Sequence, residues 1–250
     1  MDTSPVDLQT AAAIEAAEAR AWADLYAAAP ADFAEEAGVR TQYLDGTLVL
    51  SWAATGRRYF SRTIGLGVTT PATRGVIDAI LDGYAAEGIT MFLLQGLPHC
   101  RPAAFGDWLV QRGLEAFDAQ DRVVRGGEPY VPRDGQPLDR DLVVERVGPD
   151  ATDEWAEFLQ RVYRLDTGPW LQQLIGRPGW HQYVAREHGT IVGARGMFIN
   201  RDGRAWWGMD GPVPGVMTDA YEPDAAICSF MVQDGLAHGA RMFLADIEAP

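Results

Sequence analysis

The chain has no lysine. All 21 of its basic residues are arginine, set against 35 Asp and Glu, for a formal charge of −14 over 250 residues. Without an ammonium side chain there is no Schiff base, no pyridoxal-phosphate anchor, no P-loop and no protein-kinase site. The acid excess also argues against a nucleic-acid partner, because phosphate backbones need a basic face. Cysteine is scarce: Cys100 and Cys228 stand 128 residues apart, which is no disulfide framework. Neither Cys-x-x-Cys nor His-x-x-x-His spacing occurs among these and His99, His181, His188 and His238, so no metal is expected. Serine is limited to Ser4, Ser51, Ser61 and Ser229, none in a Gly-x-Ser-x-Gly setting. No apolar run approaches the ~20 residues of a membrane-spanning helix. The acidic N-terminus also lacks the basic head of a secretory signal. These absences predict a soluble, cytoplasmic protein with no membrane partner.

What the chain has in quantity is core material: 47% hydrophobic residues and eight tryptophans, which excludes general disorder. Ser4-Pro5 reads as a helix start for the alanine-rich stretch to Ala29, and strands are expected over Tyr43–Trp52 and Arg58–Val68. Thr70-Pro71 caps a helix whose stripe runs through Val76, Ile77, Ile80, Leu81 and Tyr84, and a buried strand follows at Ile89–Gln95. A short helix covers Ala103–Gln111. Residues 126–140 hold three prolines and three glycines with little apolar content, the best linker in the chain. It predicts a domain at 1–130, a linker at 131–140 and a second domain at 141–250. In the second half, Leu142–Val147 begins a strand and Trp155 to Tyr163 is strongly amphipathic. Strands recur at His181–Arg186, Ile191–Ile199 and Arg204–Met209, before a helix at Pro223–Ala237 and a strand at Arg241–Asp246.

The halves repeat each other. Asp82-Gly83-Tyr84-Ala85 through Met91-Phe92-Leu93 matches Asp234-Gly235-Leu236-Ala237 through Met242-Phe243-Leu244, and Gly46-Thr47 matches Gly189-Thr190. The conserved order of elements favours duplication.

Several segments carry a resemblance to a known family. They are Ile64-Gly65-Leu66-Gly67 with Thr70-Pro71-Ala72-Thr73, Trp108-Leu109 with Arg112-Gly113-Leu114-Glu115, Gly176 to His181, and Gly189-Thr190-Ile191-Val192. On these the chain resembles the GNAT-type N-acetyltransferases in a tandem arrangement. That is an α/β (α+β) fold of two domains, each with a mixed, mostly antiparallel sheet flanked by helices. The resemblance implies acyl transfer from acetyl-CoA or another acyl-CoA to a small-molecule amine. In that family the pyrophosphate sits on backbone amides at a helix start, in a loop of the type Arg/Gln-x-x-Gly-x-Gly/Ala. The second-half loop, Gly211 to Asp224, departs from this: it has no arginine, no Gly-x-Gly and carboxylates at Asp219, Glu222 and Asp224. The first half offers Gly65, Gly67 and Thr70 with Arg62 and Arg74, and is the candidate coenzyme loop. Only six residues follow Leu244, where the family adds a helix and two strands. The second domain therefore reads as incomplete, its open edge covered by the first half or by a second subunit in a homodimer.

Asp210 lies where the family places an acid that deprotonates the amine, and it also fits a turn in Met-Asp-Gly-Pro. His181 and Tyr221 are the other proton-transfer candidates, His181 being equally readable as a hydrogen-bonded structural histidine. Trp170, Trp180, Trp206 and Trp207 offer core packing or a pocket for an apolar or cationic ligand. Two functions follow from different classes. One is an atypical acyl-CoA-dependent transferase. The other is a protein of the same fold that has lost the coenzyme and binds or transforms a small ligand in the aromatic pocket.

Overall fold

The computed structural model describes residues 6–117, 120–128, 142–212 and 222–248. The chain divides into two units, 1–119 and 120–250.

The first unit opens with α1 (Leu8–Ala27), capped by Asp7, whose carboxylate accepts from the Thr10 amide at 2.8 Å. Ser4 and Pro5, the expected cap, lie outside the described residues. A short helix, α2 (Ala31–Ala37), ends at Gly38 with a φ of +65°. Strands β1 (Val39–Leu44) and β2 (Thr47–Trp52) then pair antiparallel across Asp45-Gly46, where both residues have positive φ. Strand β3 (Arg62–Ile64) continues the sheet. The helix α3 (Arg74–Ala86) starts later than Thr70-Pro71 predicted, because Thr73 caps it by accepting from the Val76 amide at 3.2 Å. It returns the chain to β4 (Leu93–Leu94), parallel to β3, and α4 (Phe105–Val110) follows. The sheet order is β1-β2-β3-β4. Ile77, Ile80 and Tyr84 of α3 pack with Val49, Leu66 and Phe105 as the core.

The second unit has strands β5 (Gln120–Arg125), β6 (Leu142–Arg146), β7 (Trp180–Glu187), β8 (Thr190–Ile199), β9 (Arg204–Pro212) and β10 (Met242–Glu248). They form one sheet in the order β5-β10-β9-β8-β7-β6. Helix α5 (Thr152–Tyr163) follows β6 and lies against β8 and β9, with Trp155, Phe158 and Leu159 buried. Helix α6 (Glu222–Ala237) precedes β10 and packs Ile227, Met231 and Val232 on Tyr183, Ala185, Met197 and Phe243. Side chains alternate across a strand, so Trp180 and Trp206 fall on the opposite face, their ring centroids 6.3 Å apart.

Strand β5 corrects the expected domain boundary. It precedes the Pro/Gly-rich stretch, yet it pairs antiparallel with β10 from Gln120–Glu248 to Arg125–Phe243. Arg122 fastens the pair with Nε and Nη2 on Asp246 at 2.8 and 3.1 Å. The division therefore falls ahead of residue 120, and residues 131–140, the expected linker, lie outside the described residues. Strand β5 also covers the edge of β10 that the sequence left open. Its polar composition, Gln-Asp-Arg-Val-Val-Arg, suits an edge strand and hid it from periodicity.

The same order of elements recurs: β1-β2-β3-α3-β4 in one unit and β7-β8-β9-α6-β10 in the other, each ending in a parallel pair. The matched Gly-Thr pairs mark equivalent hairpin turns, since His188 and Gly189 repeat the positive φ of Asp45 and Gly46. The matched Asp-Gly pairs differ in packing. A methyl group on Gly235 would stand 2.7 Å from the buried Phe243 ring and 3.1 Å from the Met197 methyl, whereas on Gly83 it would meet nothing within 4 Å. Gly83→Ala is therefore expected to stabilise by about 0.5–1 kcal/mol through helix propensity. Gly235→Ala is expected to destabilise by about 1–3 kcal/mol through overpacking. Denaturation curves of the two single variants would show opposite shifts.

Candidate functional site

The second sheet opens between β9 and β10. Strands β8 and β9 pair at Gly196–Gly208 and again at Ala194–Gly211, so Arg195 alone faces both Met209 and Asp210. This is a β-bulge, with Met209 at a φ of +57°. The parallel ladder between β9 and β10 runs for only three pairs, ending at Trp206–Leu244. Beyond it β9 stays with β8 to Pro212, while β10 continues with β5 to Glu248. The two strands part, and Asp210 sits on the bulge beside the opening, inside β9 rather than in the turn its neighbours suggested.

Arg195 organises this region. Its Nη1 donates to Asp210 Oδ1 at 3.0 Å and its Nε donates to Asp224 Oδ1 at 2.7 Å, tying the bulge to the first turn of α6. Desolvation pushes the Asp210 carboxyl above its ordinary value, against the pull of Arg195 and with help from Asp224 and Asp246. Its side chain is nevertheless 45% exposed, so the carboxylate remains within reach of a ligand. Burial pushes the nearby Tyr163 hydroxyl up and lifts the Cys228 thiol to about 12, which makes that cysteine a poor nucleophile. Tyr221 and Asp219 lie outside the described residues.

The first-unit loop, the expected coenzyme site, has different occupants. Gly65 and Gly67 do take positive φ, +84° and +77°. But the Gly65 amide, which an anion would need, donates to the buried Glu15 carboxylate of α1 at 2.9 Å. Arg62 is buried beneath the turn, 3.6 Å from Glu18, hydrogen-bonded to Gln95 and 5.2 Å over the Trp22 ring. Gln95 in turn donates to Glu15 at 3.2 Å and to Glu18 at 3.1 Å. Arg74 is exposed, set against Trp108 with Nη1 donating to Gln111 at 2.9 Å. Thr70 lies in the turn ahead of the Thr73 cap. The loop amide is therefore already taken, by a carboxyl group of the chain's own.

His181 is engaged on α6. Its Nδ1–H donates to Asp234 Oδ2 at 3.1 Å, and the Tyr183 hydroxyl donates to the same oxygen at 2.6 Å. Desolvation and Arg146 hold the imidazole below its ordinary pKa despite Asp234, which keeps it neutral near pH 7. Desolvation would raise Asp234, but the bonds from Tyr183 and His181 outweigh it and bring the carboxyl below the usual range. The four tryptophans do not line one pocket. Trp170, Trp180 and Trp206 are buried, and Trp207 points to the α6 face with its ring 5.6 Å from Phe243. Cys100 is packed as well: its Sγ donates to the Leu66 carbonyl at 3.2 Å and burial raises its thiol.

Sequence reasoning named Asp210, took Asp224 only as a helix-start charge, and singled out neither Arg195 nor Asp234 as a site residue. Arg195 leaves no mark in sequence because a bulge is a property of register between strands. Asp234 did carry a signal, its i,i+4 spacing to His238 at the end of a helix.

No protein-family model and no curated protein matches the chain. Among solved structures it is similar to a GCN5-related N-acetyltransferase from Kribbella flavida, at a TM-score of 0.55 and 14% identity, over 83% of this chain and 79% of that one. It also aligns with a functionally unknown conserved protein from Staphylococcus epidermidis at a TM-score of 0.46 and 10% identity, over 86% of this chain and 85% of that one. An aminoglycoside acetyltransferase from an uncultured soil metagenomic sample, in complex with sisomicin, aligns at a TM-score of 0.38 and 15% identity, over 46% of this chain and 81% of that one. The first of these likenesses shows that the chain has the GNAT-type N-acetyltransferase fold.

Proposed function

We propose that the chain is an acyl-coenzyme A-dependent N-acyltransferase acting on a small-molecule amine, with its reacting cleft in the second unit between β9 and β10. The reading rests on one observation: the bulge on β9 puts Asp210 where the β9–β10 ladder has ended.

The residues there suit an acyl-coenzyme A. Past Trp206 the side of β9 that faces β10 carries no ladder, so an extended arm bearing amides has a strand edge to join. Asp224, which would repel a phosphate at the first turn of α6, is partly offset by Arg195, a cation it shares with Asp210. The bound coenzyme would supply an activated thioester carbonyl. The remaining chemistry belongs to the chain. A small amine arrives as an ammonium and must lose a proton before it can attack. Asp210 is the base for that proton, and desolvation moves its carboxyl toward working pH, as general-base catalysis needs. Arg195 holds the carboxylate by one oxygen.

Asp210→Asn is expected to lower kcat about 10²–10⁴-fold. In the parent protein kcat/KM should fall as pH drops through the Asp210 pKa, at a pH above that of an ordinary carboxylate, and the variant should lose this limb. Steady-state assays of acyl-coenzyme A with a panel of small amines test both. If titration calorimetry finds no coenzyme binding at all, the transferase reading is wrong and the ligand-binding alternative stands.

Arg62 and Arg74 are expected to be irrelevant to the coenzyme. Arg62→Ala should cost about 3–5 kcal/mol by removing the cation beside the buried Glu18, and Arg74→Ala less than about 0.5 kcal/mol. Calorimetry on both variants should give coenzyme affinity within about twofold of the parent protein. A larger loss would return the coenzyme to the first unit.

A further inference from the structure

His181 stands near the start of β7, Asp234 in the last turns of α6 and His238 just past that helix, and the proposed transfer chemistry uses none of them. We propose that these three side chains form a binding site for a divalent transition metal of the zinc class. Their ligating atoms all lie within 4.8 Å of one another. Asp234 is at the centre, with Oδ2 3.1 Å from His181 Nδ1 and Oδ1 3.3 Å from His238 Nδ1. Bonds of about 2.0–2.2 Å to a tetrahedral ion set its ligand atoms roughly 3.3–3.6 Å apart; the two separations here run to different oxygens of Asp234, so a turn of the carboxylate would present one of them to both nitrogens. Two imidazole nitrogens and one carboxylate oxygen select zinc, cobalt, nickel or copper over magnesium or calcium.

The supporting groups match as well. The Tyr183 hydroxyl holds Asp234 Oδ2 at 2.6 Å, the kind of outer partner that fixes a ligating carboxylate. The His181 and Asp234 side chains are only 8% and 18% exposed, so little ordering remains to be done. Without an ion the cluster is closed by hydrogen bonds: His181 Nδ1 donates to the Asp234 carboxylate, and His238 Nδ1 donates to the Asp234 carbonyl at 2.8 Å. A metal at these nitrogens would move each imidazole proton from Nδ1 to Nε2, leaving both rings neutral. Arg146 opposes an ion here. Its Nη1 lies 3.5 Å from His238 Nε2, and it is exposed enough to turn away.

The test is a titration of the untagged full chain with Co²⁺, followed by visible absorption, with Zn²⁺ as competitor. A saturable tetrahedral Co²⁺ spectrum that Zn²⁺ abolishes is expected. Asp234→Asn and His238→Gln should each weaken binding at least about tenfold. Arg146→Gln should tighten it severalfold by removing a cation. His238 is 44% exposed, so its substitution should leave the fold intact, which circular dichroism checks. Absence of saturable binding, or binding that His238→Gln leaves unchanged, would show a hydrogen-bonded cluster only and overturn the site. Neither result depends on acyl transfer, so the two proposals stand or fall separately.

Discussion

A single arginine opposite a two-residue bulge sets the geometry of the second unit. Where Arg195 faces both Met209 and Asp210, β9 gains one residue on β8 and bends, just past the point where its ladder to β10 has ended. The ladder to β10 ends at its third pair, and beyond it β10 keeps only β5, already its partner on the other edge from Phe243. The guanidinium then fastens what the bulge has displaced, holding Asp210 of the sheet and Asp224 of α6 by separate nitrogens. The placing of the carboxylate beside the opening, and its tie through Arg195 to the helix start, go with that register shift.

The glycine turn of the first unit has a carboxyl group of its own chain at its amide. Gly65 and Gly67 adopt the left-handed conformations that expose amides, but α1 brings Glu15 to the Gly65 N–H. A buried carboxylate must be hydrogen-bonded or neutralised, and Glu15, Glu18, Gln95 and Arg62 form one connected group that does so. The arginine beside a glycine loop, which in sequence looks like a phosphate ligand, is committed to the core. Charge near a loop is therefore not evidence of a site until the opposite charges are placed.

The fold was legible because its signals are local. The helix stripe through Ile77, Ile80 and Tyr84, the buried face of Trp155, Phe158 and Leu159, and the two Gly-Thr hairpins each follow from spacing within a few residues. The order of elements, read twice along the chain, was enough to name the fold. Three features did not follow, and each depends on pairing between distant segments. Strand β5 belongs to the second sheet because β10 has an edge to cover, while its own residues look like loop. Asp210 was named by its position in the sequence, but its surroundings depend on the β8 register. His181 was singled out alone, since nothing near it in sequence announces Asp234.

The absence of lysine acquires a structural meaning at these places. With 35 acids to 21 bases, an efficient base is one that serves two acids at once. Arg195 does this with Asp210 and Asp224. Arg186 does it with Glu145 through Nε at 2.7 Å and with Glu154 through both terminal nitrogens at 2.8 and 2.6 Å. Arg122 grips both oxygens of Asp246 across the β5–β10 pair. Each arrangement needs donors fixed in a plane and pointing in different directions, which a guanidinium provides and an ammonium on a flexible stem does not. Arginine is also less strongly hydrated, so it can sit half-buried between strand and helix where the carboxylates are. The composition that first excludes several chemistries is the same one that lets an acidic chain brace its strand edges and hold a carboxylate in place beside the opening.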